Sequence, residues 1–259
     1  MRAPTSIGPG RRAARALGDR RAYPNRRWLS ALLALPVDRL DAFLSEADRF
    51  AELEHGIRER QIAGGRRSYA QFRAPLELYA MVRALRPDHV IETGVSSGVS
   101  SAHILLALRR NRRGTLHSID FPTAQRGARF SRRDSPVALP PGRRTGWVVP
   151  PELRRGWDLR IGPSEKLLVP LVAETPTVGL FLHDSRHTPR HLAFELDTIA
   201  PRLEPGSIVL ADNTVWTGRA SPRFARRLGA SVRRRGRSDL VGLRVPPGVL
   251  PPPRGAGGR

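Results

Sequence analysis

The chain has 259 residues, 39% of them hydrophobic, with no cysteine. That length suits one α/β domain with modest additions, the lack of cysteine excludes disulfides and thiolate metal sites, and no apolar run is long enough to cross a bilayer or follows the N-terminus as a secretion signal would. The net charge of +22 arises from 45 basic and 23 acidic residues; such a balance suits polyanions, but Lys166 is the only lysine, Pro and Gly are abundant and aromatic residues are sparse, so a composition bias explains it better than a nucleic-acid groove.

Residues 1–30 are rich in arginine and poor in apolar anchors and read as a basic, disordered tail. Over 31–70 an accessory helical segment is expected: Leu40, Phe43, Leu44, Ala47, Phe50 and Leu53 recur at helical spacing from Val37 to about Gln61, until Gly64-Gly65 breaks the run. The main domain is assigned to 71–246 and a second disordered tail to 247–259. A helix opens near Pro75 and runs through Leu85, with Pro87 beyond it.

Strands and helices then alternate. Strands are expected at His89–Thr93, Thr115–Asp120, Asp158–Ile161, Thr177–Asp184 and Ser207–Asp212. Helices are expected at Gly98–Arg109, Ser164–Ala173 and Pro189–Leu203, the last capped by Thr188. A long Pro/Gly/Arg-rich loop fills 121–157. After Asn213 a helix near Pro222–Leu228 precedes two short strands, Ser231–Arg235 and Leu240–Val245, which pair antiparallel at a sheet edge. The fold class is α/β: a doubly wound, Rossmann-like, mostly parallel seven-stranded sheet with an antiparallel C-terminal edge hairpin and N-terminal accessory helices.

Two turns in this alternation carry ligand chemistry. Glu92-Thr93-Gly94-Val95-Ser96-Ser97-Gly98 leaves the first strand and opens a helix. Glycine lets the backbone turn sharply and approach a ligand, and the following helix start offers free N–H groups. The spacing is not the G-x-G-x-x-G of a dinucleotide site. Asp120 ends the second strand 26 positions after Gly94, near the distance at which an acid reaches ribose hydroxyls; a solvated strand-end acid is the plain alternative.

Glu-x-Gly-x-x-x-Gly resembles the first motif of class I S-adenosylmethionine-dependent methyltransferases. That resemblance implies a cofactor cradle of Glu92, Gly94, Ser96, Gly98 and Asp120. It adds Ser164 as an adenine contact, although Ser164 also reads as a helix N-cap. Asp184, Asp212 and Asn213 match the metal site of catechol and caffeoyl-CoA type O-methyltransferases, which implies Mg²⁺ or a similar divalent cation on oxygen ligands; turn chemistry is the alternative for Asp212-Asn213.

The stretch Asp184 to His191 also resembles the Asp-Gly-Asp-His-Ser-Tyr run of a bacterial small-molecule methyltransferase group. His187 and Thr188 match it; Arg186 and Pro189 depart from it. The segment from Thr145 through Trp157 is similar to that group's connector. His187 then stands as the general base, with Asp184 as its catalytic partner beside the cofactor; a loop histidine bonded to backbone is the alternative. His191 follows at i+4, but no H-E-x-x-H run is present.

The function expected is methyl transfer from S-adenosylmethionine to a small-molecule hydroxyl, in a cytoplasmic protein with no membrane contact. Homodimerisation is an expectation of the same resemblance. The competing reading is an RNA- or DNA-binding protein or RNA methyltransferase using the arginine-rich surface. His183-Asp184-Ser185-Arg186 lacks the Asn-Pro-Pro-Tyr type run that base N-methylating enzymes commonly carry.

Overall fold

The computed structural model describes residues 25–46, 51–63, 72, 74–122, 139 and 142–248. The elements, in chain order, are helices α1 (Arg26–Leu33), α2 (Val37–Ser45), α3 (Ala51–Ala63) and α4 (Pro75–Leu85), then β1 (His89–Thr93), α5 (Val99–Asn111) and β2 (Thr115–Asp120). A 3₁₀ turn at Pro151–Leu153 leads into β3 (Trp157–Ile161), α6 (Ser164–Glu174), β4 (Val178–His183), α7 (Pro189–Ile199) and β5 (Leu203–Ala211). Two helices, α8 (Thr214–Thr217) and α9 (Ala220–Arg227), precede β6 (Arg233–Arg234) and β7 (Val241–Arg244).

The seven strands form one sheet in the order β3-β2-β1-β4-β5-β7-β6. The first five are parallel to their neighbours, and β7 runs antiparallel to both β5 and β6. The order reverses at β1, with β2 on one side and β4 on the other, which opens a crevice at the carboxyl ends of those strands.

Alternation along the central strands feeds two cores. Val90, Leu180, Leu182, Ile208 and Leu210 face α1, α2, α4 and α5. Ile91, Phe181, Val209 and Ala211 face α6, α7 and α9. With both faces covered, the central strands must be apolar on both sides, which is why they read as continuous runs.

Helix α1 corrects the N-terminal boundary. The disordered tail was expected through residue 30, but Arg26–Ser30 belong to a helix whose Trp28, Leu29, Leu32 and Leu33 are buried. These four fall on one helical stripe that the neighbouring arginines mask in sequence. The helix lies across the antiparallel edge: Trp28 Nε1 donates to the Arg233 carbonyl at 2.9 Å. The accessory segment divides into α2 and α3, and α2 packs on α4, where Tyr79 and Arg83 both bond Glu46. Residues 1–24 and 249–259, and therefore most of both expected tails, lie outside the described residues. So do Ala47, Phe50, Gly64-Gly65 and most of the loop from residue 123 to 141.

Two further boundaries shift for local reasons. The helix expected to reach Leu203 ends at Ile199, continues as a 3₁₀ turn over Ala200–Arg202, and β5 already begins at Leu203. Pro201 has no N–H to extend the α ladder, so the last turn tightens. The short α8, which no hydrophobic period announces, follows directly from Asn213 in the left-handed conformation (φ 51°).

At the end of β1 the chain turns through Gly94 at φ 88°. A Cβ there would stand 2.0 Å from the Asp184 carbonyl oxygen, so the turn requires glycine on both counts. Gly94→Ala is expected to lower stability by on the order of 3 kcal/mol or more, measured by denaturant unfolding. Trp28→Ala is expected to cost about 3–5 kcal/mol in the same measurement, since α1 covers the sheet edge through that side chain.

Candidate active site

The turn after β1 and the end of β4 meet backbone to backbone. Gly94 N donates to Ile119 O at 2.8 Å, and Asp184 N donates to Thr93 O at 2.8 Å. A cleft opens there, lined by Gly94, Asp120, Ser164, Glu165, Ser185 and His191. These residues come from four segments that only the crossovers of the sheet bring together.

Asp120 is almost fully buried at the cleft. Its Oδ1 accepts from Val95 N at 3.1 Å and its Oδ2 from Thr145 Oγ1 at 2.7 Å. An ionised carboxylate has about four acceptor positions, so these two bonds orient it and leave capacity for hydroxyls in the cleft. The Ser96 side-chain oxygen is buried without a hydrogen-bond partner, and Ser96 itself is left-handed at φ 49°. A ligand polar group at this turn would satisfy it.

Other members of the expected cradle do different work. Glu92 has no exposed surface. It accepts from Ser100 Oγ (2.5 Å), Ser101 Oγ (2.6 Å) and Ser118 Oγ (2.8 Å), so it ties β1, α5 and β2 together and is not a direct cofactor contact. Burial pushes its carboxyl above the usual range, and the three hydroxyls oppose that. Gly98 (φ 94°) faces the connector: a Cβ on it would meet Gly146 and Val149 at 2.8 Å. Its role is close packing of residues 145–149 onto the turn, and backbone bonds from Gly146 N to Ser96 O and Val148 N to Ser97 O hold that packing. Ser164 is not the N-cap of α6; Pro163 holds that position, and the Ser164 hydroxyl donates inward to Glu195 at 2.8 Å.

The residues expected to act on the acceptor do converge. Asp212 N donates to His183 O at 3.0 Å, which sets the β5 exit beside the β4 exit. His187 Nε2 lies 3.8 Å from Asp184 Oδ1 and accepts from Asn213 Nδ2 at 3.0 Å. The exposed ring of Trp216 lies 5.9 Å from the His187 ring. The Asp184 side chain is 16% exposed. Burial, then the charges of Asp212, Glu92 and Asp120, push its carboxyl well above the ordinary carboxylate range. Among the described residues, no three His, Cys, Asp or Glu side chains are arranged to hold a metal ion, so a site here rests on two carboxylates and the Asn213 amide.

Sequence reasoning missed Thr145, which orients Asp120, and Glu195, which lies buried on α7. Glu195 had a readable signal: it shares the buried face of its helix with Leu192, Leu196 and Ile199, and His191 precedes it by four.

Residues 91–214 match a protein family described as "Methyltransferase domain". No curated protein sequence matches the chain. Among solved structures, the O-methyltransferase TomG of Streptomyces achromogenes, in complex with SAM, superposes with a TM-score of 0.52 at 14% identity, covering 76% of this chain and 90% of that one. Cofactor-bound Rv0187 from MTB gives 0.52 at 13% identity over 80% and 95%. The O-methyltransferase of Bacillus cereus, in complex with SAH, gives 0.50 at 11% identity over 83% and 99%. At such identities the likeness is one of fold, and the strand order, the glycine turn and the matched segment agree with it. Residues 91–214 are thus similar to a methyltransferase domain, both by the matched segment and by the order of the sheet that carries it.

Proposed function

We propose that the protein transfers a methyl group from S-adenosylmethionine to a hydroxyl oxygen of a small molecule. The observation that carries this reading is the contact between the Gly94 turn and the Asp184 backbone: the donor cradle and the acceptor-side residues Asp184, His187 and Asn213 share one wall. S-adenosylmethionine supplies an electrophilic methyl carbon on its sulfonium. The protein's part is alignment, because in-line displacement needs the acceptor oxygen held close to that carbon and on its axis.

Gly94 gives the donor its closest backbone approach. Asp120 holds ribose hydroxyls, and the buried Ser96 hydroxyl finds its partner in the donor. On the acceptor side, His187 Nε2 takes the hydroxyl proton, exchanging its bond from Asn213 for one from the acceptor.

Asp184, Asp212 and Asn213 would hold a divalent ion such as Mg²⁺. Burial and then the charge of Asp212 raise the carboxyl of Asp184, and a bound cation would favour its ionised form against both. Such an ion would supply Lewis-acid polarisation of the acceptor hydroxyl. Two of the proteins that share the fold are O-methyltransferases.

Asp120→Ala is expected to weaken S-adenosylhomocysteine binding by about ten- to a hundredfold in calorimetry, the worth of charged hydrogen bonds. Unchanged affinity would remove Asp120 from the cradle. Asp212→Asn is expected to abolish metal-stimulated turnover while leaving donor affinity within about twofold. Full activity in a chelator, assayed with catechol-like and sugar hydroxyl acceptors, would remove the ion and leave the methyl transfer standing.

A further inference from the structure

Five donors converge on the carboxylate of Glu195, a side chain with no exposed surface. Oε2 accepts from Thr93 Oγ1 at 2.8 Å and His183 Nδ1 at 2.7 Å. Oε1 accepts from Ser164 Oγ at 2.8 Å, Ser185 Oγ at 2.9 Å and His191 Nε2 at 2.9 Å. The donors belong to β1, β4, the first turn of α6, the β4–α7 loop and α7 itself. Three of them, Ser164, Ser185 and His191, line the cleft.

His191 continues the chain of charge outward. Its Nδ1 lies 3.2 Å from Glu165 Oε1, and that oxygen lies 3.3 Å from Arg186 Nη1. A neutral imidazole carries one N–H and can serve one of two flanking carboxylates, not both. An imidazolium serves both. Signs therefore alternate from the core to the rim of the cleft: Glu195, His191, Glu165, Arg186.

We propose that Glu195 and His191 are positioning residues for the methyl donor: Glu195 holds His191 as an imidazolium, which clasps the α6 wall at Glu165 to α7 and so shapes the cleft. The inference rests on the donor reading above and adds that one proton on His191 governs donor affinity. The groups facing His191 are Glu195 and Phe194 on α7, Ser164 and Glu165 on α6, Arg186 in the loop and His183 on β4. Burial and the Arg186 charge oppose the proton; the hydrogen bond and charge of Glu195, with Glu165, outweigh them and raise His191. Burial likewise works against the Glu195 anion, and His183 and His191 overcome it, holding that carboxyl well below its usual range. Because the folded value of His191 is raised, the clasp is complete below the ordinary histidine range and is lost as pH rises through the folded value.

The test uses the full chain. S-adenosylhomocysteine affinity is measured by calorimetry from about pH 6 to 9, while the histidine ring resonances are followed by NMR over the same range. The wild type should show His191 titrating above about 6.5, with donor affinity falling about tenfold across that midpoint. Glu165→Gln, at an exposed position, should move both midpoints down together, and Glu195→Gln should move them further. A His191 midpoint near its ordinary value, a midpoint unmoved by Glu165→Gln, or an affinity flat with pH would overturn the clasp. No S-adenosylhomocysteine binding at any pH would overturn the donor reading instead, and the ring titration in Glu165→Gln would then decide the clasp alone.

Discussion

The site depends on two loops passing closer than any side chain allows. Gly94 leaves β1 within van der Waals reach of the Asp184 backbone, and that approach puts the glycine turn beside Asp184, His187 and Asn213. The approach follows from β1 and β4 being hydrogen-bonded neighbours in register, Thr93 against His183. Methyl transfer tolerates little misalignment, so a backbone contact is a better reference than flexible side chains would be. Everything else at the crevice is arranged around that fixed edge.

Two buried carboxylates secure the edge from opposite faces of the sheet. Glu92 gathers three serine hydroxyls and binds β1 to α5 and β2. Glu195 gathers hydroxyls and imidazoles from β1, β4 and α6. Burying such groups is costly unless each is fully hydrogen-bonded, and both are. Their environments push in opposite senses: hydroxyls alone leave Glu92 raised by burial, whereas two imidazoles hold Glu195 well below its usual range. The first anchors the site; the second connects it to solution pH.

Several arginines are paired with carboxylates: Arg227 of α9 with Asp197, Arg235 with Glu77, and Arg26 of α1 with Asp41. Several thus serve the edge covered by α1. Among the described residues no helix is long and apolar enough to cross a membrane.

The amino-acid sequence determined what depends on near neighbours along the chain. The alternation of apolar runs set the strand–helix order, Gly94 and Asp120 at strand ends marked the crevice, and Pro75 and Thr188 marked helix starts, because each of these is a local backbone preference. Residues 26–30 escaped that reading because their arginines hid an apolar stripe whose partner lies some two hundred positions away, at Arg233. Only the tertiary structure decided which polar residues face the cleft. Glu92 and Gly98 matched a ligand motif yet face protein, while Thr145, read only as part of a connector, bonds Asp120, and Glu195, which no motif marked, gathers the side chains around the cleft. A hydrogen bond between segments distant in sequence depends on strand order and register, and no local pattern encodes those.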